Sequence, residues 1–251
     1  MLLGAADHAG AQIAISDPGV RTSTWTIELE AGPVWQSYND VEIPNDGTGT
    51  RFSLKDVAGT GPWPAGRLYV TWRPAERHAL RLLAAPLTIR ETGTLDGPVT
   101  FVDQGFTPGS VDARYTFDSY RLTYRYRLHH GAETTVWLGG TAKLRDAVVE
   151  LRQGDTHGRK PDLGFVPLLH LAGDWRLTPG WVLSLDVDAL AGGPGRAEDV
   201  ALELGYDLSE RWSIQGGYRF VEGGADVDEV YTFAWLHYAA LSLVWRPGPG
   251  R

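Results

Sequence analysis

Polar and apolar residues alternate with a period of two along most of this chain. The clearest run is residues 120–128, where Tyr120, Leu122, Tyr124, Tyr126 and Leu128 alternate with Arg121, Thr123, Arg125 and Arg127. A period of two places successive side chains on opposite faces of a strand. The same pattern recurs at residues 25–38, 67–73, 135–150, 165–176, 181–190, 200–206, 212–221 and 233–245. Residues 78–90 are apolar on both faces, so their phase is not set, and Pro86 points to a bulge or edge there. Ten strands are therefore predicted, with no convincing amphipathic helix between them.

The connections alternate as well. Residues 73–77, 129–133, 177–180 and 208–211 are short, whereas 39–66, 91–113, 151–164, 191–199 and 222–232 are longer, and the two kinds take turns along the chain. An up-and-down barrel in an outer membrane does this, with short periplasmic turns and longer extracellular loops. A Greek-key sandwich has no reason to. Trp72, Trp137, Trp175, Trp181, Trp212 and Trp245 fall near short turns, and Trp35, Tyr120, Phe165, Phe220, Phe233 and Trp235 near long ones. Two aromatic belts at opposite strand ends suit two membrane interfaces. The last run, from Phe233 to Trp245, is aromatic at both ends, as a closing strand would be. The expected fold is all-β: a single up-and-down antiparallel transmembrane β-barrel of about ten strands, in the bacterial outer membrane.

Composition adjusts this picture in a few places. The 251 residues include 31 Gly, 10 Trp and 10 Tyr but no Cys, which rules out disulfides and Cys-ligated metal. A net charge of −8 speaks against nucleic acid as a partner. No apolar run approaches the roughly 18 residues of a membrane helix, a test that a barrel escapes. Near the N-terminus, Ala9, Gly10 and Ala11 before Gln12 have the small-x-small form of a signal-peptidase site. Residues 1–20 are thus taken as an N-terminal segment, with a signal-peptide remnant to about residue 11 or else an ordinary Ala/Gly-rich terminus. Residues 21–246 form the barrel and 247–251 a tail.

With lipid on the apolar face, the other face lines the lumen. Its charged residues would be Glu28, Glu30, Arg67, Arg121, Arg125, Arg127, Lys143, Arg145, Asp174, Arg176, Asp186, Asp188, Glu203 and Arg219. Signs are nearly balanced, which suits an ion-pair network closing a small barrel. Arg121, Arg125 and Arg127 would find partners among Glu28, Glu30, Asp186, Asp188 and Glu203. A narrow charged conduit or a lumenal ligand site is the alternative. In the last long connection, Asp226, Asp228 and Glu229 could hold a cation such as Ca²⁺ at the extracellular surface, or simply be solvated.

Catalytic patterns are scarce. No Gly-x-Ser-x-Gly, His-Glu-x-x-His or P-loop motif occurs. Ten strands is the size of the omptin proteases, and Asp186 and Asp188 have a suitable gap, but no matching Asp-x-His pair faces them. His237, Tyr238 and Ala239 loosely resemble the His-x-Ser of lipid A deacylases, with Ala239 where the nucleophile would be. A rim enzyme would have to draw on Asp186, Asp188 or His170. A loop-based adhesin would use residues 39–66 and 91–113, which carry Pro62, Trp63, Pro64, Phe101 and Phe106.

Four segments carry a resemblance. Gly164 to His170, Gly195 to Ala197, Leu204 to Leu208 and Glu222 to Tyr231 resemble segments of small, uncharacterised outer-membrane β-barrel proteins of Gram-negative bacteria. That likeness implies fold and location and brings no catalytic residue. The expectation is an integral outer-membrane barrel with a charged, closed lumen, no catalytic site, no metal and no cofactor. It would be a monomer meeting outer-membrane lipid, lipopolysaccharide and the barrel-assembly machinery. A narrow pore, an adhesin, and an omptin-like or lipid-modifying rim hydrolase are the alternatives.

Overall fold

The computed structural model describes residues 24–193 and 195–248. The Ala9 to Gln12 motif and the end of the tail lie outside the described residues. Along the chain run β1 (Trp25–Glu42), β2 (Phe52–Ser53), α1 (Leu54–Ala58), β3 (Trp63–Ala75), β4 (His78–Ala85) and β5 (Thr88–Leu95). Next come β6 (Val99–Phe101), β7 (Gln104–Phe106), β8 (Gly109–His130), β9 (Thr134–Gln153) and β10 (Thr156–Thr178). The last elements are β11 (Trp181–Gly192), β12 (Gly195–Asp207), β13 (Trp212–Val227) and β14 (Val230–Trp245).

Each long strand pairs antiparallel with its neighbours, and β14 returns to pair with β1, from Ile27 opposite Trp245 to Glu42 opposite Tyr231. The ring is closed by this pairing, although neighbouring strands part above Leu68 opposite Ala84 and above Leu169 opposite Ala189. Counting β4 and β5 as one strand interrupted at Pro86 and Leu87, the ring has ten strands in up-and-down order. Pro86 lacks the N–H that a continuous ladder would use.

Alternation decides which residues face out. Leu29, Leu68, Leu82, Leu122, Leu138, Leu169, Leu202 and Leu241 are all exposed. In water so many exposed leucines would be an aggregation hazard, whereas on lipid they are in their own phase. On β10 this band runs from Phe165 to Trp175, about eleven positions, close to the 9–11 residues of a tilted membrane strand. Trp137, placed in the lower aromatic belt by sequence, instead points inward: it is buried against Ala79 and Ala172 with Arg73 and Arg127 over its ring. Residues 78–85 gain a phase, with Ala79, Arg81, Leu83 and Ala85 inward.

The long connections differ from expectation in a specific way. Three of them are continued strands with tight tips: Gln153 pairs with Thr156, Gly192 with Gly195 and Val227 with Val230. Gly154, at φ +58, supplies the left-handed residue that so short a turn needs. Only residues 43–62 and 96–108 form true loops, and both fold into the mouth. There Phe101, Phe106, Leu54, Val57 and Ile89 build an apolar core with Val34, Leu151 and Leu236 of the wall. Phe101 and Phe106 are thus buried plug residues rather than an exposed binding surface.

Candidate functional site

Below this apolar plug the lumen is filled by charge. Asp199 accepts from three guanidinium groups of three different strands: Arg67 Nη2 at 2.7 Å, Arg121 Nη2 at 2.7 Å and Arg219 Nη1 at 2.7 Å. Arg219 also grips Glu30 with two bonds, from Nε at 3.1 Å and Nη2 at 2.8 Å. Arg121 Nη1 reaches Asp188 at 2.9 Å, and Asp186 receives both Arg81 and Arg125. Buried ions need partners with good geometry, and removing one leaves the others exposed to an uncompensated field. Bonds of this kind also tie β3, β8, β12 and β13 together across the barrel axis, which the sheet ladder cannot do.

Not every charge assigned to the lumen joins the cluster. Glu28 sits at the edge of it, 3.9 Å from Arg81. Arg127 turns to Glu76 in the short β3–β4 turn, at 2.7 Å. Asp174 accepts from Ser184 at 2.8 Å, and Arg176 is exposed. Arg145 pairs with Asp162 on the next strand, above the cluster. Glu203 is buried but ion-paired to none of the described residues, and its Oε1 has no hydrogen-bond partner. Lys143 lies buried 4.9 Å from the centre of the Phe117 ring, with no carboxylate within 4 Å among the described residues.

Sequence reasoning misses two members: Arg81 lies in the run without a phase, and Asp199 falls at the end of a supposed loop that is really β12. His170 falls on the inward polar face of its predicted strand, opposite Leu169 and Leu171, but is not counted among the lumen charges. Its Nδ1 lies 2.7 Å from Asp188 and its Nε2 2.8 Å from Arg125 Nε. Since arginine only donates, Nε2 must accept and Nδ1–H must donate to Asp188. Both ring nitrogens are therefore spent, and the side chain is 1 % exposed. His170, Asp186 and Asp188 do meet, but in the packed centre rather than at an accessible rim.

At the loop end, Asp226 accepts from Asn45 Nδ2 at 2.9 Å. Asp226, Asp228 and Glu229 do not converge: no group of three potential metal ligands occurs among the described residues.

A second constellation lies outside the barrel. Between Gln36 and Tyr38 the β1–β14 register shifts by a bulge, which turns Ser37 toward the neighbouring strand. Ser37 Oγ is 2.6 Å from His237 Nε2, and Tyr218 Oη is 2.5 Å from His237 Nδ1. Ala239 indeed offers no nucleophile, but a hydroxyl arrives from β1 instead. The group sits among Phe220, Trp235 and Trp35 in the aromatic belt at the loop end.

Above the ion cluster the interior is not full. A cavity of about 550 Å³ separates the plug from the β9–β10 hairpin and the tips of β11 to β14.

No protein-family model matches this chain, and no curated protein does. Several solved structures do. The outer membrane protease OmpT from Escherichia coli is 12 % identical, with a TM-score of 0.47, covering 90 % of this chain and 97 % of that one. The translocator domain of autotransporter NalP from Neisseria meningitidis is 11 % identical, with a TM-score of 0.44, covering 90 % and 89 %. Neisserial surface protein A is 10 % identical, with a TM-score of 0.38, covering 90 % and 98 %. Similarity this distant transfers no activity and no site residue.

Proposed function

We propose that this chain is an integral β-barrel of the bacterial outer membrane whose lumen is closed to ions and solutes. It stands there as a monomer in outer-membrane lipid, meets lipopolysaccharide at its loop end and reaches its place through the barrel-assembly machinery. The observation that carries the closed lumen is Asp199, held by Arg67, Arg121 and Arg219 from separate strands in the middle of the barrel. A conducting pore needs a continuous aqueous path. Here the axis is crossed by buried guanidinium–carboxylate bonds and then capped by the Phe101 and Phe106 plug. The test is a planar bilayer containing the purified protein. It should carry no steady current, and large stable single-channel steps would overturn the closed-lumen reading.

A second reading has one observation in its favour, the Ser37, His237 and Tyr218 chain on the outer face. It gives an interfacial esterase acting on lipid acyl esters. Ser37 Oγ attacks the ester carbonyl while His237 Nε2 takes its proton, with Nδ1–H donating to Tyr218. The alcohol leaves with that proton, and water then releases the acid and restores the hydroxyl. Hydrolysis of a chromogenic acyl ester should vanish in Ser37→Ala. Undiminished turnover by that variant, or none by the unaltered protein, removes the reading.

A further inference from the structure

The barrel wall opens on one side. β10 pairs with β9 from Thr156 to Trp175, but with β11 only from Leu169 downward. Above Leu169 opposite Ala189, the edge of β10 facing β11 has no ladder partner among the described residues. Pro161 and Pro167 lie on this stretch, and proline is what blunts a strand edge that must stay unpaired. The cavity of about 550 Å³ lies behind the gap, with Phe165 and Leu190 at its lip. Phe165 is 69 % exposed and belongs to the upper aromatic belt, so the gap faces outward where the aliphatic band ends.

The lining has two characters. Phe117, Val149 and Val230 are apolar, and the volume falls in the roughly 300–1,000 Å³ range of ligand sites. The charged lining groups are Lys143, Arg145, Lys160 and Arg196 against Asp162 and Glu229, an excess of cations in a chain whose net charge is −8. Arg145 is engaged by Asp162 and Arg196 by Glu222. Lys143 and Lys160 have no carboxylate within 4 Å among the described residues. The buried Nε of Arg145 likewise has no hydrogen-bond partner. A buried ammonium and a buried guanidinium N–H without acceptors are costly unless an anion completes them.

We propose that this cavity binds an amphipathic anion with a single aliphatic chain, entering sideways between β10 and β11. Its acidic head lies against Lys143 and the free Nε of Arg145, and its chain runs along the apolar wall toward Phe165. Carboxylate and phosphate heads both meet the requirement, the first from a free fatty acid and the second from a phosphorylated lipid. The route of entry rests on the membrane-spanning reading, whereas binding itself does not.

The test uses the whole barrel in an uncharged amphipathic polymer, with its heat-dependent gel mobility confirming the fold. The probe is cis-parinarate, a fluorescent long-chain carboxylate, beside its uncharged methyl ester. Saturable binding of one parinarate per chain is expected, with the ester at least tenfold weaker. Lys143→Gln should weaken parinarate about tenfold and leave the ester unchanged, and Arg145→Gln serves if the first variant does not fold. Displacement by dodecanoate or by dodecyl phosphate supports the proposal, and the better competitor identifies the source. Equal affinity for acid and ester, equal affinity in both variants, or displacement by inorganic phosphate alone would overturn it. So would absence of saturable binding by a folded, heat-modifiable barrel, a result that leaves the membrane reading standing.

Discussion

The wall of this barrel parts in two places, and the two are treated differently. Between β3 and β5 the strands separate above Leu68 opposite Ala84, and β5 pairs only with β8. That gap is sealed. α1 lies across it so closely that a Cβ on Gly93 would sit 1.6 Å from the Val57 carbonyl oxygen, and Trp63 Nε1 donates across to Glu91 at 2.6 Å. Between β10 and β11 the strands separate just as fully, yet no hydrogen bond among the described residues crosses and no helix covers the cavity behind. The difference between the two gaps is supplied by loops. Where a loop of about twenty residues precedes the parting, it fills it; where the hairpins end in two-residue tips, no described loop does so.

Emptying the sealed side should cost most. Phe101→Ala removes one of the two largest fully buried plug residues and should lower stability by about 3–5 kcal/mol. It would be read as a fall in the temperature at which the folded gel band disappears. Trp63→Phe cuts the hydrogen bond to Glu91 while keeping the ring, for about 0.5–1.5 kcal/mol, and should speed proteolysis of residues 43–62. An unchanged cleavage rate would show that α1 holds the gap alone. At the open gap, Phe165→Ala should cost clearly less than Phe101→Ala, because its side chain is exposed toward lipid and leaves no cavity in the barrel when removed. A cost equal to that of Phe101→Ala would mean the gap is closed after all.

The smallest effect concerns the β9–β10 arm that borders the open side. Glu150, beyond the lipid band, feels burial pushing its pKa up, but hydrogen bonds from Arg152 and His157 outweigh this and leave it below its ordinary 4.5. A depressed carboxyl contributes stability above its unfolded pKa and loses it as pH falls through the folded value. The slight melting difference between the unaltered chain and Glu150→Gln should thus be present at neutral pH and fade below about pH 4.5. A difference that grew on acidification would contradict the assignment.

The barrel itself was legible because its two faces meet different solvents, and alternation at Tyr120 to Leu128 survives in the structure residue by residue. The ion cluster was legible only where that alternation had a clear phase. Arg81 was lost among residues apolar on both faces, since Leu83 and Ala85 also point inward. Asp199 was lost because Gly192, Gly193 and Gly195 look like loop, although they form a hairpin tip. Ser37 could not be found: the bulge there moves the buried face from even positions such as Val34 and Gln36 to odd ones such as Asn39 and Val41, and that shift does not say which neighbour Ser37 meets. The open gap did leave a trace, in Pro161 and Pro167, since two prolines in one run are disfavoured where both edges of a strand must be laddered.

The pairing of β1 with β14 has a consequence for how the molecule is made. These strands come from opposite ends of the described chain, so the contact that seals the cylinder is also the most distant in sequence. Neither strand can be satisfied until synthesis has delivered the last one, and until then each offers a long unpaired edge to any extended polypeptide nearby. Closure of the ring must therefore wait until β14 has been made. A product broken off before Val230 would have no native way to lose those edges and would be prone to aggregate.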